Sequence, residues 1–94
     1  MKAMLKVTLD DADEAVKQMP PGPIRHVGIQ HDQVTLWFEA DLDLMDRDDQ
    51  RVVTRRFLVV ATNQAVPEDA TYLGTVRRES SSLVWHVFEL GGSS

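Results

Sequence analysis

The sequence contains no cysteine. Disulfide frameworks, thiolate metal centres and cysteine nucleophiles are therefore excluded. No apolar run approaches the roughly 20 residues a bilayer-spanning helix needs. The opening Met1-Lys2-Ala3-Met4-Leu5-Lys6 recharges too quickly to read as a secretion leader. Positive charge is scarce, with 10 Lys and Arg against 15 Asp and Glu, a net charge of -5. That balance disfavours direct nucleic-acid binding, which usually calls for a basic surface. What remains is the ordinary mixture of a folded domain, 43% hydrophobic and 27% charged. At 94 residues the chain suits one domain, expected over 1–90. Gly91-Gly92-Ser93-Ser94 reads as a flexible end or an appended remnant.

Breakers cut the chain often. Pro20-Pro21-Gly22-Pro23 is the hardest stop, because three prolines remove three donors and fix three φ angles. Further breaks fall at Asp32-Gln33, Asp41 to Gln50, Pro67-Glu68-Asp69 and Glu79 to Ser82. The intervals between them are rich in β-branched and aromatic residues. They predict strands at about 3–9, 24–31, 34–40, 51–61, 71–78 and 83–90. Short connections favour antiparallel pairing. The expected class is all-β, or β-rich α+β: a small antiparallel sandwich or open barrel of about six to seven short strands. A short helix at 11–19 is the alternative for that segment. Asp10 suits its cap, and Ala12, Ala15, Val16 and Met19 fall at helical spacing.

Two strands are apolar on both faces. Val34, Leu36, Phe38 and Ala40 alternate with Thr35, Trp37 and Glu39; Leu83, Trp85 and Val87 alternate with Val84, His86, Phe88 and Leu90. Another sheet, a helix or another subunit must cover the second face. The expectation is a homo-oligomer, weighed against a two-layer monomer.

Charge is segregated. Asp10, Asp11, Asp13 and Glu14 fill one turn, and Asp41, Asp43, Asp46, Asp48 and Asp49 another. Arginines sit on strands: Arg51 and Arg55 facing one way, Arg56 the other, then Arg77 and Arg78 further on. Were those strands neighbours, the guanidinium groups would form a basic patch.

The usual signatures of catalysis and metal binding are missing. Counted from Asp41, the EF-hand pattern fails at Met45, Asp46 and Val52, so 41–49 reads as a solvated loop. His26 and His31 differ by five and face opposite ways on a strand, so His86 can join only one of them. Ser80-Ser81-Ser82 is a turn without a nucleophile elbow, and no phosphate loop occurs. No catalytic residue, metal or cofactor is expected, and the chain is read as a non-enzyme. Flat aromatics with basic neighbours do suggest binding of flat anions such as nucleotides. The candidate contacts are Trp37, Arg55, Arg56, Tyr72, Arg77, Arg78 and His86, with core or interface packing the competing role for Trp37 and Trp85.

Four runs carry a resemblance: Ile24 to Gln30, Val34-Thr35-Leu36-Trp37, Ala70 to Val76 and Leu83 to Glu89. Together they resemble a small family of single β-rich domains met in bacteriophage and prophage genomes, along nearly the whole chain from Met1 to Leu90. The Leu83-Val84-Trp85-His86-Val87-Phe88-Glu89 block is its most specific part. The resemblance implies a strand over 13–19 and a phage setting, and it carries over no catalytic residue. Relatives often have Gly-His-Pro where this chain has Asn63-Gln64-Ala65. The implied role is a phage accessory protein in the cytoplasm of the infected bacterial host. It would act against defence by sequestering a nucleotide-type immune signal or by blocking a host defence protein at an oligomer surface. The alternative is a virion or assembly accessory working through protein contacts.

Overall fold

The computed structural model describes residues 1–9, 14–45, 52–77 and 82–91. Strands run over β1 Lys2–Thr8, β2 Glu14–Met19, β3 Ile24–Gln30, β4 Gln33–Asp41, β5 Val53–Ala61, β6 Ala70–Arg77 and β7 Val84–Leu90. A single helical turn, α1 Leu42–Met45, follows β4 where a plain loop was expected. Two antiparallel sheets result, β1-β4-β3 and β2-β5-β7-β6. The all-β sandwich expected from the alternation is the fold.

The segment ending at Met19 is a strand and not a helix. Both readings put Ala15 and Met19 on one face, because four residues apart is in phase for a helix turn and for a pleat. Val16 separates them: a helix would bury it with Ala15, whereas here it is 56% exposed while Ala15 and Met19 are buried. Pairing with β5 along all of β2, from Glu14↔Leu58 to Met19↔Val53, satisfies the backbone in a way ten residues of isolated helix could not. The cap and first turn of the helical alternative, Asp10 to Asp13, lie outside the described residues.

The core lies between the sheets. Val34, Leu36, Phe38 and Ala40 of β4 face Phe57 and Val59 of β5, Val76 of β6 and Val87 of β7, with Leu9, Ala15 and Met19 at one side. Phe57, Leu36 and Val87 expose no surface. Full burial of one such side chain stabilises by about 1.5–3 kcal/mol. Val60 is also buried, yet it stands apart from this cluster because it points out of the opposite face of β5. Trp85 packs on the core side, its indole N–H buried without an acceptor among the described residues.

The Pro20–Pro23 stop is where the chain leaves one sheet for the other. Gly22 passes so close to β4 that a Cβ there would stand 1.7 Å from the Glu39 carbonyl oxygen. The Glu39 N–H donates to the Pro23 carbonyl at 3.0 Å, fixing the crossing to the sheet it enters. The β3–β4 hairpin turns on His31 and Asp32, both with positive φ (53° and 60°). That is the geometry of a two-residue type I′ turn, whose twist matches the strands it joins.

Candidate functional site

The outer face of the four-stranded sheet follows from the register. Val16, Arg56, Leu90 and Ala70 lie in one row, then Glu14, Leu58, Phe88 and Tyr72, then Val60, His86 and Thr75, then Val84 and Arg77. The centre of this face is apolar. Val16 and Tyr72 are each 56% exposed, and Leu58, Phe88, Leu90 and Val84 are half-buried. Its described charges are peripheral: Arg56, paired with Glu14 at 2.9 Å, and Arg77.

One half of the face is polar and ordered. His86 sits between two hydroxyls, with Nδ1 at 2.9 Å from Thr75 Oγ1 and Nε2 at 2.9 Å from Thr62 Oγ1. Tyr72 extends the chain through its hydroxyl to Thr75, and its ring meets Phe88 edge-on at 5.5 Å. Because a hydroxyl both donates and accepts, either tautomer of His86 is served. Arg77 lies two residues beyond Thr75, exposed on the same face. Tyr72, Arg77 and His86 therefore come together as candidates.

The others do not join them. A basic patch from adjacent arginine strands does not form, because β7 lies between β5 and β6. Arg56 is in the row of Leu90 and Arg77 in that of Val84, six residues along β7, which separates them by about 20 Å along the strands. Arg51 and Arg78 lie outside the described residues, as do 46–49 of the acidic loop.

Arg55 points inward, opposite to Arg56, as the alternation requires. Its Nε and one terminal nitrogen each donate to the Glu89 carboxylate at 2.7 Å, and the other donates to the Gly22 carbonyl at 2.6 Å. The Phe57 ring lies 5.7 Å below the guanidinium. Only 12% of the side chain is exposed, so this fork is spent on closing one end of the sandwich and on holding the proline crossing. A cleft of about 450 Å³ opens beside it, lined by Pro21, Gly22, Val53, Thr54, Arg55 and Glu89.

Trp37 is on the far side of the molecule, on the outer face of the three-stranded sheet. Its cross-strand neighbours are Lys6 on β1 and His26 on β3. The indole lies against Gly28, where an added Cβ would be 3.2 Å from Trp37 Cζ3 and 3.1 Å from His26 Nε2. The His26 and Trp37 rings meet at 5.3 Å with a 47° tilt. Lys6 Nζ donates to Gln30 Oε1 at 2.5 Å, a bond that must cross β4 from β1 to β3. Thr35 beneath has no exposed surface. Next along β4, Glu39 accepts from Arg25 at 2.9 Å and pairs with Lys2 at 3.5 Å. Arg25, above all, holds the Glu39 carboxyl below its ordinary range.

Sequence reasoning missed His26, Gly28 and Lys6 as a group with Trp37, and Thr62 and Thr75 as the partners of His86. Each grouping depends on cross-strand register, which alternation along a single strand does not encode.

A family described as a domain of unknown function (DUF7352) matches residues 1–93. The chain belongs to it. No curated protein and no solved structure matches the chain. Within the DUF7352 domain, the Leu83 to Glu89 block singled out by resemblance is the residue before β7 and all of β7 but its last residue, Leu90, in an inner strand of the larger sheet. Its pattern is explained twice over: Trp85 and Val87 serve the core, while Val84, His86 and Phe88 build the outer face.

Proposed function

We propose that this DUF7352 protein is a phage-encoded, non-enzymatic binding protein that assembles on the outer face of its four-stranded sheet. The observation that carries the reading is the composition of that face. Leu58 and Phe88 occupy its centre, Val16 and Tyr72 stand exposed beside them, and charge is peripheral. Soluble proteins seldom leave such a patch uncovered. Four strands at about 4.8 Å spacing make a face about 19 Å wide. A second copy is the occupant we assign. A two-fold axis along the strands sets Leu58 against the partner's Phe88 and Glu14, already paired with Arg56, against the partner's Tyr72, so apolar meets apolar at the centre.

The phage setting rests on the resemblance of the four runs described above, Leu83 to Glu89 foremost. In that setting a small binding protein acts in the host cytoplasm, against a nucleotide-type defence signal or a host defence protein. Among the described residues no helix is long and apolar enough to cross a membrane. A second reading, a virion or assembly accessory, draws on the same apolar face. Purified particles separate the two, since an accessory co-sediments with them and an inhibitor does not.

Light scattering tests the assembly. The wild-type protein is expected at twice the 10.6 kDa chain mass, and Leu58→Glu, which places a carboxylate at the centre of the face, at the single mass with the same circular dichroism. A single chain mass for wild type at the highest soluble concentration overturns the proposal.

A further inference from the structure

We infer that the outer face of the three-stranded sheet is a second, separate binding site, in which Trp37 stacks a planar base and Lys6 holds the phosphate attached to it. The inference names a ligand site for the binding protein proposed above, but it does not require self-association. The four-stranded sheet would be covered in the assembly, and this face lies on the opposite side of the sandwich.

Three observations converge. The first is the posture of the indole. Gly28 leaves room for it, since a Cβ there would press within 3.2 Å of the ring, and Trp37 stays half-buried on the outer face of the sheet. His26 supports one edge at 5.3 Å. A partly exposed aromatic in the middle of a sheet is the element on which nucleic-acid bases stack, at about 1–3 kcal/mol per base.

The second is an ammonium that meets no carboxylate among the described residues. Lys6 is the direct cross-strand neighbour of Trp37, and it donates to the neutral amide oxygen of Gln30 at 2.5 Å. That bond spans β4 over the buried Thr35, one pleat repeat from the indole. A positive charge is thereby fixed beside the stacking surface, and Gln30 can yield to a stronger acceptor. The third is that the carboxylate two residues along β4 from Trp37, Glu39, is already occupied by Arg25 at 2.9 Å and Lys2 at 3.5 Å. It would otherwise repel a phosphate. Lys2, Lys6 and Arg25 against Glu39 and Asp41 give this face a local excess of one positive charge on a chain whose net charge is -5. A neutral sugar would gain from the indole but would leave the ammonium unanswered. A base bearing a phosphate uses both.

The experiment follows the two indole N–H resonances of the wild-type protein by NMR while adenosine, adenosine monophosphate and a short oligothymidylate are added in turn. Trp37→Phe assigns the signals. The monophosphate is expected to shift the Trp37 signal and leave that of Trp85, which packs on the core, in place. Lys6→Gln should weaken the monophosphate about tenfold and leave adenosine unchanged, because only the charge-assisted contact is lost. An affinity that climbs with strand length assigns the site to single strands; one that does not assigns it to free nucleotides. A Trp37 signal that stays fixed at millimolar monophosphate overturns the inference, as does a shift confined to Trp85. Since the readout is a resonance and not a mass, it can fail while the assembly stands, and the reverse.

Discussion

Arg55 and Arg56 are chain neighbours with opposite fates. Alternation alone sends one inward and one outward. Arg55 forms a two-point pair with Glu89 and a third bond to Gly22, with 12% and 25% of the paired side chains exposed. Arg56 meets Glu14 with 52% and 41% exposed. Arg55→Ala should therefore cost about 2–3 kcal/mol in a urea titration, since it strands a half-buried carboxylate and frees the proline crossing. Arg56→Ala should cost under about 0.5 kcal/mol. Equal losses would contradict this division. Glu39 adds a pH signature. Its folded pKa lies below the ordinary 4.5 because Arg25 donates to it. The pair thus contributes stability above that ordinary value, lost as pH falls through the folded one. Glu39→Gln should flatten this acid-side decline, which stability curves at several pH values will show. The inward and outward assignments of these residues were legible in the sequence. Their partners were not, because Glu89 and Gly22 are 34 and 33 residues from Arg55.

Among the elements, strands betray themselves by period and composition, and the neighbour relations do not. The expected intervals at 24–31, 34–40 and 83–90 fall within a residue of β3, β4 and β7 at each end. Nothing in the two-residue period says that β7 inserts between β5 and β6, and this insertion divides the arginines. The 11–19 segment was ambiguous for a physical reason: Ala15 and Met19 satisfy both periods, so Val16 alone discriminates. Turn chemistry is less regular still. His31 and Asp32 hold positive φ without glycine, a conformation that costs an ordinary residue on the order of 1 kcal/mol. Replacing the pair by Asn-Gly should raise stability by about 0.5–1 kcal/mol, read as a rise in melting temperature. Asn63 also has positive φ, at 75°, in the loop where the resemblance places a glycine in relatives. The departure there keeps the backbone geometry, and Gln64 ties the loop down by accepting the Ala61 N–H at 2.6 Å. Gly22 is less forgiving. Gly22→Ala drives a methyl into the Glu39 carbonyl and should lose several kcal/mol or fail to fold, as thermal denaturation would reveal.

For the whole molecule, two sheets solve the problem posed by strands apolar on both sides, but only for the inner side of each. Trp85 went to the core and Trp37 to an outer face. The remaining apolar surface is concentrated on the four-stranded sheet, around Leu58 and Phe88, where a second copy is proposed to dock. The most direct measurement is hydroxyl-radical footprinting of the wild-type protein across concentration. Tyr72 is 56% exposed in the single chain. Between about 1 µM and about 1 mM, a range that spans weak to firm association, oxidation of Tyr72 should fall while that of Trp37 on the opposite sheet holds steady. Unchanged oxidation of Tyr72 over that range, or protection of Trp37 in its place, would contradict the account.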